Sequence, residues 1–229
     1  MTSRELAGLI DHTQLNPVAV ADDFKALCAE AVEHGFYSVC VPSWAIDLAV
    51  SETEDSDVRV CTVVGFPLGS SDADSKRYET EMAVDLGAHE IDTVINLGMV
   101  KDKADALIQR ELRDIVEAAD ERPVKVILET GYLENEEIIR VVEIFKKTGA
   151  HFVKTSTGFG PRGASLEDVR LLREHVGPGY GVKASGGIRD LETALAMIEA
   201  GANRLGTSGS VRIMKQFLDA ESEQATATE

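Results

Sequence analysis

The stretch Ile138-Ile139-Arg140-Val141-Val142-Glu143-Ile144-Phe145-Lys146-Lys147-Thr148-Gly149-Ala150-His151-Phe152-Val153-Lys154-Thr155 holds a helix, its stop and a strand in one pass. Ile138, Val141, Val142 and Phe145 recur at i, i+3, i+4 and i+7, so they share one helix face. Gly149 then stands where a left-handed cap would end that helix, and a strand-like run begins at Phe152. The unit repeats outward in both directions. Phe24, Leu27, Cys28 and Ala31 reproduce the stripe, while Gly35, Gly87 and Gly201 reproduce the stop, each just ahead of a strand candidate. Those candidates are Ile10–His12, Tyr37–Pro42, Val58–Phe66, Glu90–Asn96, Val124–Thr130, Phe152–Gly158, Tyr180–Gly187 and Arg204–Gly209. Eight strand–helix units predict an α/β fold of the (β/α)8 type, with a short extra N-terminal helix. A doubly wound sheet would instead bring Gly-x-Gly-x-x-Gly after the first strand, where Asp11-His12-Thr13 stands.

The 229 residues suit one barrel. The catalytic domain is expected over residues 1–219. Residues 220–229 lack apolar spacing and read as an acidic, flexible tail. The three cysteines form no Cys-x-x-Cys pair and are odd in number, which points to a reducing cytoplasm. No signal peptide and no apolar run of about 18 residues is found, so no membrane partner is expected. Forty acidic against 23 basic side chains, a net of −17, exclude nucleic acid as a partner. Such acidity fits an ordinary soluble protein, or adaptation to high salt, where a Debye length of about 3 Å at 1 M screens self-repulsion.

Strand parity separates a barrel's lumen from its helix-packed surface. Val124, Val126 and Leu128 belong outside, so Lys125, Ile127 and Glu129 point in. By the same rule Lys154 and Ser156, Lys183 and Ser185, and Asp92, Val94 and Asn96 point in. Barrel interiors are normally filled with branched apolar residues. Three lysines and two acids there must be paired or functional, because burying an unpaired charge is costly. A buried ion-pair network is one account. The other is a nucleophilic lysine. An amine attacks an aldehyde only when neutral, and an ordinary lysine pKa is about 10.4. A second ammonium ~5 Å away disfavours the charged form by about 3 kcal/mol at an effective dielectric of ~20. Parity leaves open which lysine is the nucleophile.

Several segments resemble the deoxyribose-phosphate aldolase family. They are Phe152-Val153-Lys154-Thr155-Ser156-Thr157-Gly158-Phe159, Gly181-Val182-Lys183-Ala184-Ser185-Gly186-Gly187-Ile188-Arg189, Ile10-Asp11-His12-Thr13, Ser38-Val39-Cys40-Val41-Pro42 and Val63-Val64-Gly65-Phe66-Pro67-Leu68-Gly69. The similarity runs from about Leu6 to Phe217. It implies a metal-free, cofactor-free class I lyase of deoxyribonucleoside catabolism. Such an enzyme splits 2-deoxy-D-ribose 5-phosphate into glyceraldehyde 3-phosphate and acetaldehyde. On that resemblance Lys154 matches the Schiff-base lysine, Lys183 the lysine that lowers its pKa, and Asp92 the proton-relay aspartate. Asp11, Cys40, Thr157 and Ser185 are expected near the substrate. A homo-oligomer, dimer or tetramer, is implied as well.

The phosphate is expected at Gly186-Gly187 and at Ser208-Gly209, two glycine turns that each lead into a helix after the last two strands. Arg162 or Arg189 could add charge. His12, His34, His89, His151 and His175 show no metal-ligand spacing. Glu129 and Lys125 could simply pair with each other. Some relatives carry a basic residue after Thr-Ser-Thr-Gly, where Phe159 stands here. Others end in a tyrosine tail, where this chain has Thr226-Ala227-Thr228-Glu229. The alternatives are a Schiff-base aldolase for another phosphorylated sugar and a non-catalytic phosphosugar-binding barrel.

Overall fold

The computed structural model describes residues 1–227. Its strands are β1 (Ile10–Thr13), β2 (Ser38–Val41), β3 (Arg59–Val64), β4 (Glu90–Val94), β5 (Val124–Ile127), β6 (Phe152–Lys154), β7 (Gly181–Ser185) and β8 (Arg204–Thr207). They pair in parallel, each with its chain neighbour, and β8 closes on β1, so the predicted (β/α)8 barrel is present. Alternating with them run α1 (Ser3–Ala7), α2 (Ala21–His34), α3 (Ile46–Thr53), α4 (Ala73–Asp85), α5 (Leu97–Lys101), α6 (Asp105–Ala118), α7 (Asn135–Phe145), α8 (Leu166–Val176), α9 (Leu191–Glu199) and α10 (Ser210–Ala227).

The extra helix α1 is short and is held by a capping box. Glu5 N–H donates to Thr2 Oγ1 (3.2 Å) and Thr2 N–H to Glu5 Oε2 (2.7 Å). Ile138, Val141, Val142 and Phe145 of α7 are buried against the outer strand faces, together with Val124, Val126 and Val153. This ring between helices and barrel is the apolar core. The lumen is a different material, and among the described residues Cys40, Cys61 and Val63 form a small separate apolar cluster there.

Three features differ from the sequence expectation. First, the strands end early on their carboxyl side. β5 stops at Ile127 and β6 at Lys154, and the polar residues after them leave the ladder to build the barrel mouth. Second, Asn96 does not enter the lumen, because its side chain accepts from Met99 N–H (3.1 Å) and caps α5. Third, α10 runs to Ala227 without a break at residue 219. Its final residues include Ala, Glu and Gln, strong helix formers that need no apolar stripe to stay helical. Residues 228 and 229 of the expected tail lie outside the described residues.

Candidate active site

In-register pairing sets the site. Lys154 of β6 is the partner of Lys183 of β7, and Asp92 of β4 is the partner of Lys125 of β5. All four point into the lumen. Asp92 Oδ2 accepts from Lys154 Nζ (2.7 Å) and from Lys183 Nζ (2.8 Å), and its Oδ1 accepts from Lys125 Nζ (2.7 Å). One carboxylate thus bridges three ammonium groups.

Beneath it lies a second layer. Asp11 accepts from Lys183 Nζ and from Arg204 Nη1, the latter at 2.9 Å. Glu90 accepts from Arg204 (3.1 Å) and lies 2.7 Å from Lys125 Nζ. Arg204 stacks on the Tyr37 ring, 3.4 Å from its centroid. Glu90, Arg204 and Cys61 are members of this cluster that sequence reading missed. Parity carried the signal, since Glu90 lies two residues before Asp92 and Cys61 is the register partner of Glu90.

Electrostatics follows from these contacts. Burial alone would raise the Asp92 pKa, but Lys125, Lys154 and Lys183 outweigh it and hold the carboxyl well below the usual range. Asp11 is depressed in the same way, burial being overcome by Lys183, Arg204 and Lys125. Lys183 and Lys125 show the converse. Burial disfavours their charge, yet the surrounding carboxylates raise both pKa values, so both stay ammonium groups.

A pocket of about 480 Å³ opens above this network at the carboxyl ends of the strands. Lys154, Thr157, Gly158, Phe159, Ser185, Gly186, Gly187, Arg189 and Ser208 are on its wall. Of the three lumen lysines only Lys154 reaches it, with 3% of its surface exposed against 0% for Lys125 and Lys183. The pocket floor therefore presents a single lysine amine, that of Lys154.

Gly186, Gly187 and Ser208 line the pocket as expected for an anion cradle, and the N–H groups of Gly187 and Ser208 donate to no acceptor among the described residues. Gly187 has a φ of +81° with nothing within 4 Å of its Cα substituent position, which suits a backbone open to a ligand.

Four expectations need correction. Gly209 is off the wall, and its N–H is spent on Thr207 Oγ1 (2.8 Å). Asp11 and Cys40 are fully buried under the lysines, so neither reaches the pocket. Arg162 is turned to Asp168, 3.1 Å from its Oδ1, leaving Arg189 as the arginine on the wall. Glu129 does not pair with Lys125. It accepts from Thr157 N–H (3.2 Å) and from the Thr157 hydroxyl instead, and Phe159 N–H donates to that same hydroxyl (3.0 Å). Ser185, also on the wall, gives its hydroxyl proton to Ser156 O (2.6 Å).

Cys40, Cys61 and Asp92 come close enough to resemble a metal site, as do Asp11, Cys61 and Glu90. The donor set does not fit a cation. Lys125 Nζ already lies 2.7 Å from Asp92, 2.7 Å from Glu90 and 3.3 Å from Cys61 Sγ. Burial and Cys40 also push the Cys61 thiol up, so it is no thiolate.

The sequence matches the family model described as DeoC/LacD family aldolase over residues 6–217. The chain belongs to the DeoC/LacD family of aldolases. Similar members include the deoxyribose-phosphate aldolases of Thermococcus gammatolerans, 50% identical over 96% of this chain and 100% of that one, and of an Exiguobacterium species, 52% identical over 92% and 96%. Among solved structures, the tetrameric deoxyribose phosphate aldolase of Aeropyrum pernix aligns with a TM-score of 0.89 at 34% identity, over 94% of this chain and 92% of that one. Membership in this aldolase family gives the chain a reaction class, carbon–carbon cleavage or formation next to a carbonyl.

Proposed function

We propose that this aldolase cleaves 2-deoxy-D-ribose 5-phosphate to glyceraldehyde 3-phosphate and acetaldehyde, reversibly, through a Schiff base on Lys154. The observation that carries the reading is that Lys154 alone among the lumen lysines meets the pocket. Charge balance supports it. Among the described residues, Lys125, Lys154, Lys183 and Arg204 face only Asp11, Glu90 and Asp92 in the lumen. Four cationic side chains against three carboxylates leave the buried cluster with a surplus of one, a cost that a merely structural network would not carry.

In this reading the Lys154 amine adds to C1 of the open-chain sugar, and loss of water gives the iminium. The iminium draws the electron pair of the C2–C3 bond as that bond breaks and the C3 hydroxyl loses its proton. Asp92, bonded to both Lys154 and Lys183, is placed to pass that proton through water and return it to the enamine carbon. Lys183 holds a positive charge beside the amine. Thr157 and Ser185 contact the sugar. Thr157 Oγ1 gives its proton to Glu129, so toward a ligand it can only accept. The phosphate sits on the N–H groups around Gly186, Gly187 and Ser208, with Arg189 adding charge.

The family likeness further supports a homo-oligomer acting in deoxyribonucleoside catabolism. No helix of the described residues is long and apolar enough to cross a membrane, which agrees with a cytoplasmic location. The acidic excess supports adaptation to high salt.

Borohydride reduction in the presence of 2-deoxyribose 5-phosphate, followed by peptide mass mapping, tests the chemistry. A reduced adduct on the peptide carrying Lys154 is expected. An adduct on another lysine overturns the assignment, and no adduct overturns the Schiff base.

A further inference from the structure

His12 lies on β1 beside Asp11 but faces the other way, out of the lumen. It is almost fully buried, in a contact that neither the charge network nor the pocket wall includes. Its Nε2 is 2.7 Å from Glu30 Oε2 on α2, and its Nδ1 is 2.9 Å from Ser210 Oγ at the start of α10. The Phe36 ring packs against it at 5.1 Å.

The Ser210 end of this contact is continuous with the anion cradle. Ser210 Oγ lies 3.1 Å from Thr207 O. Thr207 Oγ1 donates to Ile188 O (2.6 Å) and accepts from Gly209 N–H (2.8 Å). Thr207 therefore ties the turn after β7 to the turn after β8, and Thr207 and Ser210 bracket Ser208, which lines the pocket and whose N–H donates to no acceptor among the described residues. Ile188, Thr207, Ser210, His12 and Glu30 form one hydrogen-bonded line from the cradle to α2. With its one proton given to Thr207 O, the Ser210 hydroxyl accepts from His12 Nδ1–H, and the Glu30 carboxylate faces the other ring nitrogen.

We propose that His12 is a positioning residue for phosphate recognition, holding the β8 turn through Ser210 while Glu30 sets its orientation. The inference rests on the reading that Gly186, Gly187 and Ser208 cradle a phosphate. It sets His12 apart from the chemistry: Lys154, Lys183 and Asp92 receive no contact from it. Misplacing a binding group by a fraction of an ångström costs affinity for the group it holds and leaves the reacting carbons untouched.

The test is the ratio of kcat/KM for 2-deoxyribose 5-phosphate to kcat/KM for unphosphorylated 2-deoxyribose, measured in the wild type, His12→Gln, His12→Asn and Ser210→Ala. Activity on the unphosphorylated sugar serves as the control for folding. His12→Gln can reach Glu30 but not Ser210, whereas His12→Asn places an amide near the lost Nδ1. The ratio is expected to fall about tenfold in His12→Gln and Ser210→Ala through KM, and to stay near the wild-type value in His12→Asn. Activity on 2-deoxyribose should remain within about twofold in all three. An unchanged ratio in His12→Gln and Ser210→Ala overturns the role of His12 and leaves the cradle standing. Equal losses on both sugars overturn it too, as the mark of a general structural effect. A wild type that does not prefer the phosphorylated sugar overturns the cradle itself, and the inference with it.

Discussion

Lys154 and Lys183 stand in register on neighbouring strands and donate to the same oxygen, Asp92 Oδ2, at 2.7 and 2.8 Å. Two ammonium groups sharing one acceptor is an arrangement that a core built only for stability would avoid, because like charges repel in a medium of low dielectric. Lys183 is further secured by Asp11 and is cut off from solvent. Lys183 is therefore the fixed charge of the pair, and Lys154 is the lysine that meets the pocket.

Replacing Lys183 by Met should lower kcat by about 10²-fold or more, since both the fixed charge and the proton route are lost. Removing one partner of a buried pair should also cost about 3–5 kcal/mol, because Asp11 and Asp92 lose a counter-ion. Steady-state kinetics and the denaturant midpoint report the two effects separately. Unchanged kcat in a folded variant would contradict the proposed role.

The lumen carboxylates and lysines set opposite edges on the pH range of stability. Asp92 and Asp11 have depressed pKa values in the folded state. Their contribution is complete above the unfolded aspartate value of about 3.9 and is lost as pH falls below it through the folded values. Lys125 and Lys183 have raised values. Their contribution is complete below about 10.4 and is lost as pH rises beyond it through the folded values. Unfolding free energy should therefore vary little with these groups from about pH 5 to 10. Urea titrations of the wild type and Asp92→Asn check this, and only the wild type should show the full acid-side loss from Asp92.

Gly163→Ala should damage the cradle without touching the charge network. A methyl group at residue 163 would lie 2.1 Å from the carbonyl oxygen of Gly186, so the turn after β7 must move. A loss of about 1–3 kcal/mol in stability is expected from this overpacking, together with a higher KM for the phosphorylated substrate. Lys154 should remain trappable by borohydride at saturating sugar.

Salt should stabilise the protein. The buried acids are Asp11, Glu90, Asp92, Glu111, Glu129 and Asp168 among the described residues, so the excess behind the net charge of −17 lies outside the core. Raising ionic strength to about 1 M shortens the Debye length to ~3 Å and relieves that repulsion. Thermal midpoints in sodium and potassium chloride should rise with concentration, and a flat response would remove the case for salt adaptation.

The repeating stripe and stop around Ile138 and Gly149 make the barrel legible, and parity alone brings Lys125, Lys154, Lys183 and Asp92 together. Depth was not legible. Asp11 and Cys40 lie on strands that approach the site, but only register and closure show that they sit beneath the lysines instead of on the wall. Arg204 escaped because its partners Asp11 and Glu90 come from opposite parts of the chain, 193 and 114 residues away. Gly209 looked like an anion ligand because a glycine turn before a helix offers free N–H groups, and a single threonine hydroxyl consumes this one. Helix α5, five residues long, is too short to carry a periodic stripe.

The pocket wall and the charged floor lie at different depths of the same strands and the turns that follow them. Phe159 is 52% exposed at the rim and touches Phe66, while Asp92, Lys125, Lys183, Glu90 and Arg204 are closed off below. Such a molecule separates appetite from engine. Exchanging rim residues offers a route to other aldehydes as acceptors, while a single change in the floor unbalances every charge beneath it. For redesign, the rim can be varied one position at a time, and the floor has to be replaced as a set.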